Sequence, residues 1–349
     1  MKRLQYMSRW SRPLRQEDIV AIAEASTRNN VSLDVTGFLV CLPGFFFQLL
    51  EGPDRAVDEL FERIRADDRH GDVVCLNTEE DVVGLNFPKW SMKTFDLTHG
   101  DQIFPSALES MLHTLANTHE IIAKYTQPTV LNILGQGIDP TTVAPRRVDR
   151  IVLFTDIVGF STLSERLAPE TVVEVVDRFV DICAEAIAEG GGEVSKLIGD
   201  SLMACFPATG TDEAISACVE IHEKVARLRE SGRTNHPIRW LYNGIGLSRG
   251  TVVEGNVGSK GKKDFTVIGD TVNLAARLEK LTRQVCHLFV VSEDIKNAAS
   301  HKWTFQFLGE YPVRSKQRPA RIWALQDSGP TDLKQVYQGL VELTEGSID

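Results

Sequence analysis

Asn273 and Arg277 stand four residues apart in the stretch Asp264-Phe-Thr-Val-Ile-Gly-Asp-Thr-Val-Asn-Leu-Ala-Ala-Arg-Leu-Glu279. On a helix, that spacing sets both side chains on one face, one turn apart. An amide beside a guanidinium suits the stabilisation of negative charge on phosphate oxygens; the alternative is an ordinary surface pair. Asp156 and Asp200 make a second pair, in Ile151-Val-Leu-Phe-Thr-Asp-Ile-Val-Gly-Phe-Ser161 and Glu193-Val-Ser-Lys-Leu-Ile-Gly-Asp-Ser-Leu-Met-Ala204. Each sits at a strand end or hairpin tip, where a carboxylate supplies the oxygen ligands that Mg²⁺ or Mn²⁺ takes. Singly, each reads as a turn aspartate. The backbone N–H groups of Ile157, Val158, Gly159 and Phe160, entering a helix, form a cradle for phosphate.

A third group lies near the N-terminus. Gln48 falls inside the apolar run Phe45-Phe-Phe-Gln-Leu-Leu50, where a buried amide must find partners for two donors and an acceptor. Tyr6 lies on an expected central strand, and Trp90 and Met92 share one face of the last strand. Taken one at a time, these are core residues.

The elements that must position these groups follow from periodicity. Residues 2–8, 37–42, 45–50, 73–77 and 90–95 read as strands, with helices ending near Asn29-Asn30 and spanning 56–66. This βαββαββ order predicts a small α/β sandwich with helices on one sheet face. From Phe104 to Tyr125, Leu108, Met111, Leu112, Leu115, His119 and Ile122 form a narrow stripe. It suits a parallel helix pair, read as a seam between two chains, with a partner helix inside the same chain as the competing reading. Residues 129–149, with two glycines and two prolines, read as a connector. Beyond it come a strand ending at Asp156 and a helix over 169–189 with Val172, Val173, Val176, Phe179, Val180, Cys183 and Ile187 on one face. A hairpin, a helix over 212–229, strands near 238–257, the Asn273 helix and two closing strands complete the order. Leu333, Val336, Tyr337 and Leu340 mark an amphipathic tail with no role derivable from sequence.

The chain has 349 residues, length for two domains with real cores, and ordinary globular composition, 42% hydrophobic and 25% charged. No apolar run approaches the roughly 20 residues of a membrane helix. A formal net charge of −10 argues against nonspecific nucleic-acid or anionic-membrane binding. The six cysteines (Cys41, Cys75, Cys183, Cys205, Cys218, Cys286) lack C-x-x-C spacing and read as buried free thiols of a soluble cytoplasmic protein.

Taken together, the segments around Asp156, Asp200 and Asn273 resemble the class III nucleotidyl cyclase domain, over about residues 150–327. Phe-Phe-Gln-Leu-Leu-Glu-Gly and Trp-Ser-Met resemble a BLUF domain, a flavin-holding blue-light sensor, over 1–97. The expected fold class is therefore α/β (α+β): a ferredoxin-like BLUF sandwich and a cyclase domain, joined by a helical handle and connector over 98–149, with a tail over 328–349. The BLUF resemblance implies a flavin (FMN or FAD) flanked by Tyr6 and Gln48, with Asn30 on its edge. It also places Arg63, Asp67 and Arg69 near the flavin's side chain and phosphate, and Trp90 and Met92 on the strand that feels the change. Asn29 departs from the basic residue of related sensors.

The cyclase resemblance implies two Mg²⁺ (or Mn²⁺) on Asp156 and Asp200, with Ile157 beside them. Lys196 and Thr266 would select adenine: lysine serves the acceptor N1 and a hydroxyl serves N6, whereas guanine reverses both roles. Asn273 would orient the ribose, Arg277 would stabilise the pentavalent phosphate and Lys316 would hold pyrophosphate, although Arg-Ser-Lys stands where relatives often show Lys-Gly-Lys. Lys196 and Asp200 share one hairpin yet serve opposite ends of ATP, so a head-to-tail homodimer is expected. The function read from sequence is a blue-light-activated adenylyl cyclase. A guanylyl cyclase, a noncatalytic nucleotide-binding dimer and a flavin redox enzyme are the alternatives.

Overall fold

A computed structural model of the chain describes residues 1–82, 84–89, 92–98, 114, 117–118, 121–122, 124–232, 236–259, 261–312, 319–326 and 329–345, with side chains to 342. It divides into two compact units, Met1–Val143 and Ala144–Asp349.

In the first unit, β1 (Lys2–Trp10), β2 (Thr36–Leu42), β3 (Phe45–Gly52), β4 (His70–Glu79) and β5 (Lys93–Asp96) form one sheet in the order β4-β1-β3-β2-β5. The pairs are antiparallel except β2 with β5. The run Phe45–Leu50 is apolar because β3 is a central strand, and Pro43-Gly44 turns it back on β2. Helices α1 (Gln16–Leu33) and α2 (Asp54–Arg65) bury Ile19, Ile22, Val57, Leu60 and Phe61 with Leu4, Tyr6, Leu39, Phe46 and Leu50. Met92 is buried but precedes β5, so the last strand starts later than expected, and Trp90 lies outside the described residues. The apolar stripe from Leu108 through Leu115 and His119 also lies outside them; Ile121, Ile122 and Tyr125 are helical and exposed. Part of the expected connector is ordered, as α3 (Pro128–Gly135) packs against β4.

The second unit is built on β6 (Arg146–Ile157), β7 (Glu193–Ile198), β8 (Ser201–Pro207), β9 (Asn243–Gly258), β10 (Lys263–Ile268), β11 (Phe289–Ser292), β12 (Phe305–Tyr311) and β13 (Ala320–Leu325). Their order is β12-β13-β11-β9-β6-β8-β7, with β10 on β9. Between them run α4 (Phe160–Arg166), α5 (Pro169–Glu189), α6 (Thr211–Ser231), α7 (Asp270–Val285) and α8 (Glu293–Ala298). The inward stripe of α5 is Val175, Phe179, Cys183, Ala186 and Ile187; Val173 is 57% exposed, so the expected face was rotated. Helix α7 lies directly on β9 because Gly246 leaves no side chain there: a Cβ would come within 2.3 Å of the Ala275 carbonyl oxygen.

The tail is not an appendage. Leu333, Val336 and Leu340 of α9 (Leu333–Glu345) belong to the main core of this unit.

Candidate catalytic and flavin sites

Asp156 is the penultimate residue of β6, and Asp200 sits in the β7–β8 turn. The adjacency of β6 and β8 brings them together. Burial, reinforced by the Asp156 carboxylate against it, pushes Asp200 up to about 7, while the Ile157 N–H donates to it. Ser201 Oγ donates to Asp156 Oδ1 at 2.8 Å, and Arg283 Nη2 donates to Oδ2 at 2.9 Å. Two converging carboxylates, the first of which hinders the ionisation of Asp200, are a fit donor set for divalent cations. Among the described residues no three His, Cys, Asp or Glu side chains gather as a metal cluster.

The phosphate cradle is narrower than expected. Val158 N–H is taken by the Tyr242 carbonyl at 2.8 Å, and Ile157 N–H serves Asp200. The N–H groups of Gly159 and Phe160, at the N-cap and first position of α4, have no acceptor within the helix. Gly159 adopts φ +73°, and a side chain there would strike Leu340 of α9 at 2.6 Å. Helix α9 thus packs on the loop that follows Asp156.

Lys196 of β7 pairs with Asp264 of β10 at 2.6 Å. Thr266 is buried two residues along the same strand, so it shares a face with Asp264. The lysine is thereby tethered to the strand that carries the threonine. On α7, Asn273 is exposed and Arg277, partly exposed, reaches the Pro312 carbonyl at 3.5 Å. Lys316 lies outside the described residues. Sequence reasoning did not single out Glu279, Arg283 or Asp264. The Glu279–Arg283 spacing of four was visible, but nothing local pointed it at Asp156, 127 positions away.

In the first unit, β1 and β3 set Tyr6 opposite Gln48. Both are buried; the Tyr6 hydroxyl donates to Gln48 Oε1, and Gln48 Nε2 lies 3.5 Å from Met92 Sδ. Burial raises the Tyr6 phenol well above its usual range, keeping it protonated. Asn30 is 1% exposed and its Nδ2 has no hydrogen-bond partner among the described residues. An orphaned buried amide beside this sheet fits an acceptor on a bound flavin. Asp67 and Arg69 form a two-bond ion pair that holds Asp67 down at about 2, whereas Arg63 is exposed and donates to the Glu59 carbonyl. Ser8 Oγ is 2.7 Å from His70 Nδ1, and burial lowers His70 to about 4.

All six cysteines are unpaired, although Cys286 is exposed rather than buried. No helix of the described residues is long and apolar enough to cross a membrane.

Comparison with known proteins places these sites in context. Residues 1–93 match the BLUF family, described as sensors of blue light using FAD. Residues 143–326 match the adenylate and guanylate cyclase catalytic domain. The structure of a bacterial light-regulated adenylyl cyclase is 39% identical, covers 99% of both chains and superposes with a TM-score of 0.88. The photoactivated adenylate cyclase subunit alpha of Euglena gracilis is 34% identical over 86% of this chain, and the beta subunit of Euglena longa 33% over 85%. The chain spans about a third of the length of those curated relatives, 29% and 34% respectively. The chain belongs to the adenylate and guanylate cyclase catalytic-domain family, carried behind a BLUF domain.

Proposed function

We propose that this protein is a blue-light-activated adenylyl cyclase, converting ATP to 3′,5′-cyclic AMP and pyrophosphate. The observation that carries this reading is the presence in one chain of two devices: the buried Tyr6–Gln48 couple beside an orphaned Asn30 amide, and the converging, half-buried Asp156 and Asp200 carboxylates.

In the cyclase reaction the ribose 3′-oxygen attacks the α-phosphorus, the bond to pyrophosphate breaks and the 3′-hydroxyl proton leaves. Two divalent cations (Mg²⁺ or Mn²⁺), when bound, supply the charge that neutralises the triphosphate and acidifies that hydroxyl. Asp156 and Asp200 would hold them, with Ile157 alongside. The N–H groups of Gly159 and Phe160 bind phosphate oxygens. Lys196 and Thr266 read the adenine edge, and the Asp264 carboxylate holds the lysine in place. Asn273 orients the ribose, Arg277 stabilises charge on the pentavalent phosphorus and Lys316 binds the leaving pyrophosphate.

The acid pair and the Lys196–Asp264 pair are separate clusters, which supports two sites shared between copies of the chain. Leu197 (56% exposed), Ile198 (55%), Val257 and Ile268 leave apolar surface on these hairpins for a second copy. A head-to-tail homodimer takes Asp156 and Asp200 from one copy. Lys196, Thr266, Asn273, Arg277 and Lys316 come from the other. Unpaired cysteines fit a reducing cytoplasm.

Flavin, when bound, supplies absorption of blue light and a strong photo-oxidant. Tyr6 offers an electron and its proton; Gln48 rearranges its amide so that donor and acceptor exchange places; Met92 meets that amide from the last strand's approach. Asn30 holds the flavin edge, Arg63, Asp67 and Arg69 stand for its side chain and phosphate, and Trp90 joins Met92 in the segment that feels the exchange. The test is direct. Purified protein should be yellow and should form cyclic AMP from ATP faster under blue light than in darkness, with little product from GTP. A colourless protein, or one indifferent to light, overturns the reading.

A further inference from the structure

Glu279 is 4% exposed, yet the proposed reaction gives it no role. A carboxylate is costly to bury, and helix pairs at four-residue spacing normally lie in solvent. Its partner Arg283 donates Nη1 to the Glu279 carboxylate and, at 3.2 Å, to the Glu279 carbonyl, while Nη2 goes to Asp156 at 2.9 Å. The route is opened by Gly244, the cross-strand partner of Asp156. A Cβ at Gly244 would meet Thr282 Oγ1 at 2.5 Å, Glu279 Oε1 at 2.9 Å and Arg283 Nη1 at 3.3 Å. The missing side chain on β9 is thus filled by the Glu279–Arg283 couple of α7.

We propose that Glu279 and Arg283 are positioning residues for Asp156: a charge-neutral couple that orients the metal-binding carboxylate without repelling the metal. A guanidinium alone would fix Asp156 well but would set a positive charge beside an incoming divalent cation. Glu279, bonded to the same guanidinium, locks its direction and, when ionised above the value of about 7 to which burial raises it, cancels that charge. Asp156 Oδ1 accepts from Ser201 and Oδ2 from Arg283, and each oxygen keeps a second lone pair for a cation. Partners of ligating carboxylates act in this way on metal affinity and geometry.

This inference rests on Asp156 and Asp200 being the metal ligands, and the test separates the two. Mn²⁺ binding to the full-length, flavin-loaded protein is measured by electron paramagnetic resonance in the dark. It is measured with 3′-deoxy-ATP, which has no attacking hydroxyl. Asp200→Asn must weaken Mn²⁺ binding; if it does not, the metal assignment itself falls. Glu279→Gln keeps the hydrogen bond but exposes the guanidinium's charge, and should weaken Mn²⁺ binding by about tenfold or more. The double variant Arg283→Met with Glu279→Gln restores neutrality at similar volume. It should return Mn²⁺ affinity to within about threefold of the native protein, while kcat at saturating Mn²⁺ stays about tenfold or more below native. Native-like Mn²⁺ affinity in Glu279→Gln overturns the charge argument. So does a double variant that binds Mn²⁺ as poorly as Glu279→Gln or, should that single variant fail to fold, one about tenfold weaker than native. A native kcat in the double variant overturns the positioning.

Discussion

Tyr6 and Gln48 are cross-strand partners in a buried sheet, and the phenol donates its hydrogen bond to the amide oxygen. That amide is also 3.5 Å from Met92 Sδ, so any rotation of Gln48 is felt at both ends. Tyr6→Phe removes the hydroxyl and keeps the ring against Phe61. The light-induced rise in cyclic AMP production should vanish while dark turnover and yellow colour persist. A Tyr6→Phe protein with full light activation would refute the sensor mechanism.

The His70 ring sits beside Phe46 and Tyr6, hydrogen-bonded to Ser8, and burial lowers its pKa from 6.5 to about 4. Between those values the unfolded chain binds the proton and the folded one does not, so folded stability falls as pH drops from 6.5 towards 4. The loss is on the order of 1–3 kcal/mol. Asp67, depressed to about 2 by Arg69, adds its own loss only lower, as pH falls from 3.8 towards 2. Thermal release of flavin, followed from pH 7 to 4, should track the first window, and His70→Gln should flatten it. An unchanged profile in His70→Gln assigns the dependence elsewhere.

The proposed reaction brings the acid pair and the α7 amide–guanidinium pair together around one ATP by way of a second copy. Asp200→Ala and Arg277→Ala proteins should each be inactive alone. Mixed subunits should recover about a quarter of native activity, since half the dimers are mixed and each of those has one intact site. Absence of any rescue would sink the shared-site reading. Six residues separate Arg277 from Arg283, about one and two-thirds turns, so α7 turns Arg277 and Arg283 in different directions. One helix therefore offers Arg277 outward and holds its own copy's Asp156 inward.

Much of this was legible in the chain. Asp156, Asp200, Asn273 and Arg277 announce themselves because their spacing is set by one turn or one hairpin, and local geometry is what sequence encodes most directly. The succession of strands and helices along the first unit followed from the same logic, but not the order of the strands within the sheet. Reading failed where distance or phase decided. Val172, Val173, Val176 and Val180 of α5 make apolar residues available on more than one face, and only the sheet beneath selects Val175 and Phe179. The Val158 N–H counted as a phosphate donor until Tyr242, far along the chain, took it. Arg283 had no local mark, because Gly244 makes room for it from another strand.

The tail shows the same lesson with a consequence for catalysis. Leu340 is fully buried, Tyr337 lies beside the Gly159 socket, and Gly339 has no side chain because the Trp240 ring occupies that space. The loop from Asp156 to Phe160 is therefore pressed from outside by α9, a helix beyond residue 326 where the family match ends. Leu340→Ala should cost about 2–5 kcal/mol in the second unit, as for other leucines excised from cores. Gly159→Ala tests the loop separately: it keeps α9 but forces a methyl group into Leu340 at a φ that favours glycine. Melting of the second unit should fall modestly in Gly159→Ala, whereas cyclase activity should fall more steeply, with a raised KM for ATP. If Gly159→Ala leaves KM at the native value, the helix supports only the fold and has no bearing on how the loop receives phosphate.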